Sequence, residues 1–573
     1  MKRILFWLIP IAFLATFYIY PLASILKISL ERTQTGILTP VLDVFNSISM
    51  LRVIGFTFGQ AGLSTLLTLI VGLPGAYLIA RYRFRGKALF RALTGVPFVM
   101  PTLVTAMAFD SLLGVHGWVN VGMMSIFHLE SPPLEFSYTL WAILLAHIFY
   151  NTTIVLRIVG DYWSRLDPRL ANAARVLGAS QFQTWFNITL PLLMPAIAAA
   201  SLLVFIFDFT SFGVILVLGG PHFATLETEI YYQTTALFNL PLAAVLSILQ
   251  LIFTLGMMLV YSKLIANLAR PLPLRSQMLV QRPFGSWRRR IFAVIVLGVL
   301  LTLLILPLVS LAARSFIRIE GERGQLNQPQ KSFTLDFYRQ LVISQKQSAF
   351  TVSPATAIAI SLGYGLSTVF FSLLLGIPAA WSLTQSNLSN PDRHTRMSQL
   401  IGVALNAFLM LPLGTSAVTL GLGFIVAFNH PPFDLGSSPI LIPLAHTLVA
   451  FPFVVRSLTP ALQSIQSRLR YAAITLGASP RQVFYNIDMP IIGRAVLVSA
   501  VFAFSISLGE FGASSLLARP EYPTVPVAIY RYLSHPGASN YGQALALSTI
   551  LMVICTLSMV AIERFRVAGM GEF

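Results

Sequence analysis

The chain runs to 573 residues, of which 56% are hydrophobic and only 10% charged, where a soluble domain devotes about a quarter of its residues to charge. That balance excludes a string of soluble domains and makes lipid the main solvent of the chain. A formal net charge of +18 does not mark a nucleic-acid binder, because the basic residues sit in short loops between apolar runs and not in an aromatic-laced basic domain.

From the amino end, Lys2-Arg3 precede a charge-free stretch from Ile4 to Leu26. A bilayer needs about 20 apolar residues, and no small-x-small cleavage site follows, so this stretch reads as an uncleaved first span with its amino end in the cytoplasm. Further spans are expected near 54–80, 92–112, 138–160, 191–218 and 237–262. A second series follows near 291–313, 356–384, 398–428, 437–460, 490–516 and 541–563. All should be helices, because backbone groups in lipid must be satisfied internally.

The charges orient the spans. Arg81, Arg83, Arg85, Lys87 and Arg91 fall in one expected cytoplasmic loop, Arg165, Arg169 and Arg175 in the next, and Lys263, Arg270, Arg275, Arg282, Arg288, Arg289 and Arg290 in the connector between the two series. The expected outer segments 113–137 and 220–236 hold no Lys or Arg, as the positive-inside rule requires. The outer segment 314–355 is the exception, with Arg314, Arg318, Arg323, Lys331, Arg339 and Lys346. An even number of spans returns the carboxyl end to the cytoplasm.

The two series repeat. AARVLGASQFQTWFNITLP at 173–191 returns as AAITLGASPRQVFYNIDMP at 472–490, 299 residues later. At the same offset Leu145-Ala146-His147 returns as Leu444-Ala445-His446, Arg157 as Arg456, Phe212-Gly213 as Phe511-Gly512, and Thr225 with Ile230-Tyr231 as Thr524 with Ile529-Tyr530. Gly62-Leu63-Ser64-Thr65 matches Gly365-Leu366-Ser367-Thr368 at an offset of 303. The expected fold is therefore an all-α polytopic membrane protein of about 12 transmembrane helices in two parallel six-helix repeats. The first repeat is 1–262, a cytoplasmic linker is 263–290, and the second repeat is 291–573.

The repeated stretch lies on the expected cytoplasmic side, between the fourth and fifth spans of each series. Ala173, Ala174 and Gly178 recur about one helical turn apart and leave a bare face for close approach, while Phe182, Trp185 and Phe186 offer bulk beyond it. Such a helix beneath the membrane, presented once per repeat, suits a two-fold symmetric partner. The pattern Ala-Ala-x-x-x-Gly followed by Ile-x-Leu-Pro resembles the coupling motif of permease subunits from ATP-binding-cassette importers. The leading Glu of that family is replaced by Asn172 and Tyr471, and Leu190 becomes Met489 in the second copy.

The resemblance covers most of both repeats and is to the fused permeases of thiamine and iron(III) importers. Residues 209–233, FTSFGVILVLGGPHFATLETEIYYQ, look closest to the thiamine branch, and SLGEFG at 507–512 is shared more widely. It implies a multi-pass protein of a bacterial inner membrane that passes thiamine or iron(III) by alternating access. A cytoplasmic ATPase dimer would drive it and an extracytoplasmic binding protein would deliver the substrate. Ala173, Ala174, Gly178, Ile188 and Pro191, with Ala472, Ala473, Gly477, Ile487 and Pro490, would dock the ATPases. The chain carries no Gly-x-x-x-x-Gly-Lys-Ser/Thr phosphate loop, so ATP is expected on the partner, with no cofactor, metal or catalytic residue here.

Other residues admit two readings. His147 and His446 are proton carriers or, more commonly at equivalent positions of a repeat, interhelical hydrogen bonds. Asp208 and Glu510 are candidates for lining the pore, although buried acids also fix helix packing. Asp208 matches Ser507 and Glu510 matches Ser211, so the repeat requires an acid at neither position. Gly72-Leu73-Pro74 and Gly376-Ile377-Pro378 are gating hinges or packing kinks. An ion-coupled secondary transporter is the alternative function, since it too has duplicated halves. A membrane enzyme has little support, because eight His and one Cys are scattered without ligand spacing.

Overall fold

A computed structural model describes residues 2–31, 39–268, 281–317, 333–342, 352–388, 405–429, 431, 434–436, 438–465 and 467–565. Among these, 11 helices are long and apolar enough to cross a membrane, and the pair Leu405–Gly414 and Ala417–Phe428, bent by 97°, makes a twelfth span if taken as one. The only extended pairings among the described residues are isolated bridges, Tyr82 with Arg282 and Ile317 with Phe333. The all-α polytopic fold read from the sequence is the fold of the chain.

Three expected spans are broken. The third, placed at 92–112, is a helix Lys87–Val99, an extended step at Met100 and Pro101, and a second helix from Thr102 to Leu113. Pro101 lacks an N–H and forces the residue before it out of the helical region. The fifth, placed at 191–218, stops at Phe209, where the Thr210 hydroxyl donates back to Ile206 O at 2.9 Å. The eleventh, placed at 490–516, stops at Gly509; Glu510 is extended, and a short helix Gly512–Leu517 follows. The first part of the expected ninth span, 398–404, lies outside the described residues.

The chain divides into two compact units, and neither is a stretch of consecutive sequence. One comprises 42–229 and 249–314; the other comprises 1–41, 230–248 and 315–573. The core of the 42–229/249–314 unit joins Ala76 and Ile79 of the second span to Val155 and Val159 of the fourth, and Leu203 of the fifth to Ala293, Val296 and Leu300 of the seventh, Trp287–Arg314. The core of the other unit joins Leu14 and Tyr18 of the first span to Phe424 and Phe428 of the bent ninth and to Leu448 and Phe451 of the tenth. Tyr18 and Thr415 hydroxyls meet there at 2.7 Å. Each unit therefore takes its leading helix from the other sequence repeat.

Within each unit the second span of the repeat crosses the fourth at a glycine. A Cβ on Gly72 would fall 2.8 Å from Val155 Cβ, and one on Gly376 would fall 2.6 Å from Val454 Cγ1. Both helices, Ile48–Arg81 and Pro354–Leu388, run unbroken through Pro74 and Pro378. The Gly-x-Pro triplets thus serve close helix packing, the small-residue contact on which helix association in lipid depends.

Candidate functional site

The two copies of the repeated stretch fold alike, residue for residue. In the first, helix Pro168–Val176 starts at Asp167, whose carboxylate accepts the Arg169 N–H at 2.9 Å. It ends at Gly178, in the left-handed region at φ +90°. Gly178 N–H donates to Arg175 O at 3.1 Å and Ala179 N–H to Ala174 O at 3.0 Å, the paired bonds of a Schellman ending. Ser180 then opens the next helix with a reciprocal capping box: Gln183 N–H donates to Ser180 Oγ at 3.2 Å and Ser180 N–H to Gln183 Oε1 at 2.9 Å. In the second, Gly477 has φ +84°. Gly477 and Ala478 donate to Ile474 O at 2.9 Å and Ala473 O at 3.0 Å, and Ser479 pairs with Gln482. After the capping box each chain passes through a π turn, Trp185–Thr189 or Phe484–Asp488, into the next span.

Burial follows the same order in both copies. Ala173 and Ala472 are exposed, Ala174 and Ala473 half-buried, Gly178 and Gly477 exposed, Ile188 and Ile487 half-buried, and Pro191 and Pro490 exposed. Highly exposed apolar side chains stand at both turns: Leu177 is 87% accessible and Leu476 is 88%, with Val176, 88% accessible, beside the first. The recurrence of the two leucines in Leu-Gly-Ala-Ser was the available signal. Each leucine heads a protruding turn, so the chain presents two matched apolar points, a costly exposure unless something covers them. Among the differences between the copies, Arg470 Nε donates to Asp488 Oδ1 at 2.8 Å, whereas the first copy has Ala171 and Thr189 at those positions.

The histidines lie elsewhere, inside the spans, and each ties three helical segments together. His147 Nδ1 is 2.9 Å from Ser64 Oγ and 3.4 Å from Asp208 Oδ1, and its Nε2 is 2.9 Å from Ser211 Oγ. Asn151 donates to Asp208 Oδ1 at 2.6 Å, and Gln60 to the Asp208 carbonyl at 2.8 Å. His446 Nδ1 is 2.8 Å from Ser507 Oγ, with its Nε2 2.9 Å from Ser514 Oγ and 3.1 Å from Glu510 Oε2. Glu510 also accepts the N–H groups of Ala513 and Ser514 at 2.8 and 3.0 Å. Acid and hydroxyl have exchanged places between the repeats: Asp208 and Ser211 in one, Ser507 and Glu510 in the other. Each histidine keeps one of each. The interhelical reading of the histidines is the one the geometry shows.

Near the first copy, Arg91 Nη2 donates to Asp161 Oδ1 at 2.6 Å, and Lys87 Nζ donates to the carbonyls of Ile79 and Tyr82 at the end of the second span. Burial first, then the neighbouring Arg91 charge, push the Lys87 ammonium down to about 8, against the weaker opposing pull of Asp161. No cluster of three or more His, Cys, Asp or Glu able to hold a metal occurs among the described residues.

The chain is thus polytopic and helical, with two surface turns alike in their hydrogen bonds, one per repeat. Residues 72–321 match the family described as the inner membrane component of binding-protein-dependent transport systems. The many apolar helices of the chain make it a membrane protein. It is 27% identical to a thiamine transport system permease protein of Brucella abortus, over 90% of this chain and 87% of that one. To the protein of the same description from Escherichia coli it is 25% identical, over 90% and 88%. A probable ABC transporter permease protein of Sinorhizobium fredii is 23% identical over 100% of this chain and 98% of its own.

Proposed function

We propose that the chain is the fused permease of a thiamine importer, with iron(III) as the alternative substrate, both repeats acting in one polypeptide. The single observation that carries the coupling part is the pair of matched, exposed turns at 173–191 and 472–490, whose apolar tips Leu177 and Leu476 repeat each other in geometry and burial. Two identical contacts on one chain suit two copies of one partner, here the subunits of a cytoplasmic ATPase. Closure of that dimer on bound ATP would move the turns, and with them the spans at Gln181–Phe209 and Arg481–Gly509 into which they continue. Alternating access follows, with an extracytoplasmic binding protein supplying substrate and both termini in the cytoplasm. Ala173, Ala174, Gly178, Ile188 and Pro191, and Ala472, Ala473, Gly477, Ile487 and Pro490, form the docking turns. Asp208 and Glu510 stay the candidate pore-lining acids, each tied here to its histidine. The thiamine assignment is supported by relatives that bear that description over 87% or more of their length.

The test is a double variant, Leu177→Ser with Leu476→Ser, in the full chain. Both side chains stand in solvent, so stability should change by no more than about 0.5 kcal/mol. ATPase retention on a tagged chain and ATP-dependent uptake of labelled thiamine should both fall more than about tenfold, the loss of roughly 1.4 kcal/mol of contact. Wild-type retention and uptake in the variant would remove the coupling assignment. Uptake by the wild-type chain that follows an ion gradient without ATPase would favour the secondary transporter.

A further inference from the structure

The end of the inter-repeat linker builds a surface that the transport reading leaves unused. Residues 281–286 fold back on the loop that follows the second span. Arg282 N–H donates to Arg81 O at 3.0 Å and Arg83 N–H to Arg282 O at 3.1 Å, a short parallel pairing. The Phe284 ring stacks on Tyr82 with centroids 4.8 Å apart, and the Arg282 guanidinium lies 5.7 Å from the same Tyr82 ring. This clasp joins two basic runs that are far apart in sequence: Arg83 and Arg85 on the loop, and Arg282, Arg288, Arg289 and Arg290 on the linker and the start of the seventh span. All six side chains are exposed.

The acids near this surface lie beside other residues, Asp161 paired with Arg91 and Asp167 close to Arg81. Residues 82–91 and 281–292 contain no Asp or Glu. Among the described residues, Arg83, Arg85, Arg288, Arg289 and Arg290 take part in no ion pair. Like charges held together repel unless a counter-charge sits among them. Beside the arginines stand exposed apolar side chains: Leu89, Trp287, Ile291 and Phe292 are 64%, 73%, 42% and 36% accessible. Trp287 opens the span Trp287–Arg314, where an indole sits at headgroup level. Guanidinium forks match phosphate oxygens bidentately, and the apolar side chains around them match acyl chains.

We propose that this surface binds the phosphate groups of anionic phospholipid, with the Tyr82/Arg282/Phe284 clasp holding its two halves in register. An acidic face of a soluble protein would satisfy the arginines but not the exposed apolar Trp287, Ile291 and Phe292, so the membrane is the occupant. Each arginine near an anionic surface is worth about fivefold in partitioning.

The test uses the full chain in discs of mixed phosphatidylglycerol and phosphatidylcholine, with co-purifying lipid counted by mass spectrometry. Wild type should retain phosphatidylglycerol in preference to phosphatidylcholine, and high salt should weaken the preference. The set R83Q/R85Q/R288Q/R289Q/R290Q should lose about tenfold or more of it, and the same five positions changed to Lys should keep most of it. An unselective wild type, or a neutral set as selective as wild type, would overturn the proposal. So would loss of a co-purifying protein from the neutral set with its lipid unchanged. If the neutral set does not accumulate, the salt response of wild type decides alone: a preference insensitive to salt overturns the site.

Discussion

At Gly178 and Gly477 the reason for the residue is backbone, not bulk. The sequence reading assigned them to a small-residue face; the structure puts both at positive φ with nothing within 4 Å of an added Cβ. The spacing Leu-Gly-Ala-Ser-x-x-Gln spells a helix end followed by a helix start, the Gly for the left-handed residue and Ser with Gln for the capping box. That much was legible, because both devices are local. A bulky residue at Gly178 would therefore confuse strain with blocked docking. Gly178→Ala with Gly477→Ala meets no atom, so it should cost only the left-handed penalty of about 1 kcal/mol at each turn. Hydrogen exchange at Ala179 and Ala478 should accelerate several-fold while the spans stay protected; unchanged exchange would show that the turns do not depend on glycine. The acids were less legible. Asp208 and Glu510 look unrelated in an alignment of the repeats, and only the distances to His147 and His446 show one acid and one hydroxyl kept at each histidine in exchanged positions.

At the scale of elements, apolar length foretold the number and order of spans but not their breaks. Pro101 interrupts its span while Pro74 and Pro378 do not. Hydropathy weighs these prolines alike; the surrounding helices decide which backbone gap is tolerated. Gly376 shows the other side of this dependence. Its missing Cβ lets the eighth span approach Val454, with the Val454 methyl 2.6 Å from where that Cβ would be. Gly376→Leu should lower the melting temperature of the detergent-solubilised chain by overpacking of roughly 1–3 kcal/mol, and adding Val454→Ala should restore part of the loss. A Gly376→Leu variant as stable as wild type, or no rescue, would mean the contact is not tight. The same experiment at Gly72 with Val155 should behave alike, since the equivalent contact measures 2.8 Å.

For the whole molecule, the interleaving of the units has a direct consequence. The seventh span places Ala293, Val296 and Leu300 in the core built from 42–229, and the first span places Leu14 and Tyr18 in the core built from the second repeat. A chain cut between residues 269 and 280 gives two fragments, neither with all the helices of either unit. Co-expressed, they should purify together on a tag carried by one. Expressed singly, each should be protease-sensitive, because helices in lipid are held by specific packing and not by a hydrophobic drive toward one another. Two stable, independent fragments would contradict the exchange of helices. By itself the sequence determined the all-helical membrane class, the duplication and the order of the spans, since apolar length and repeat offset are properties of neighbours along the chain. Only the tertiary structure decided where spans break, which acid meets which histidine, and which unit each leading helix joins, because those depend on contacts between side chains far apart in sequence.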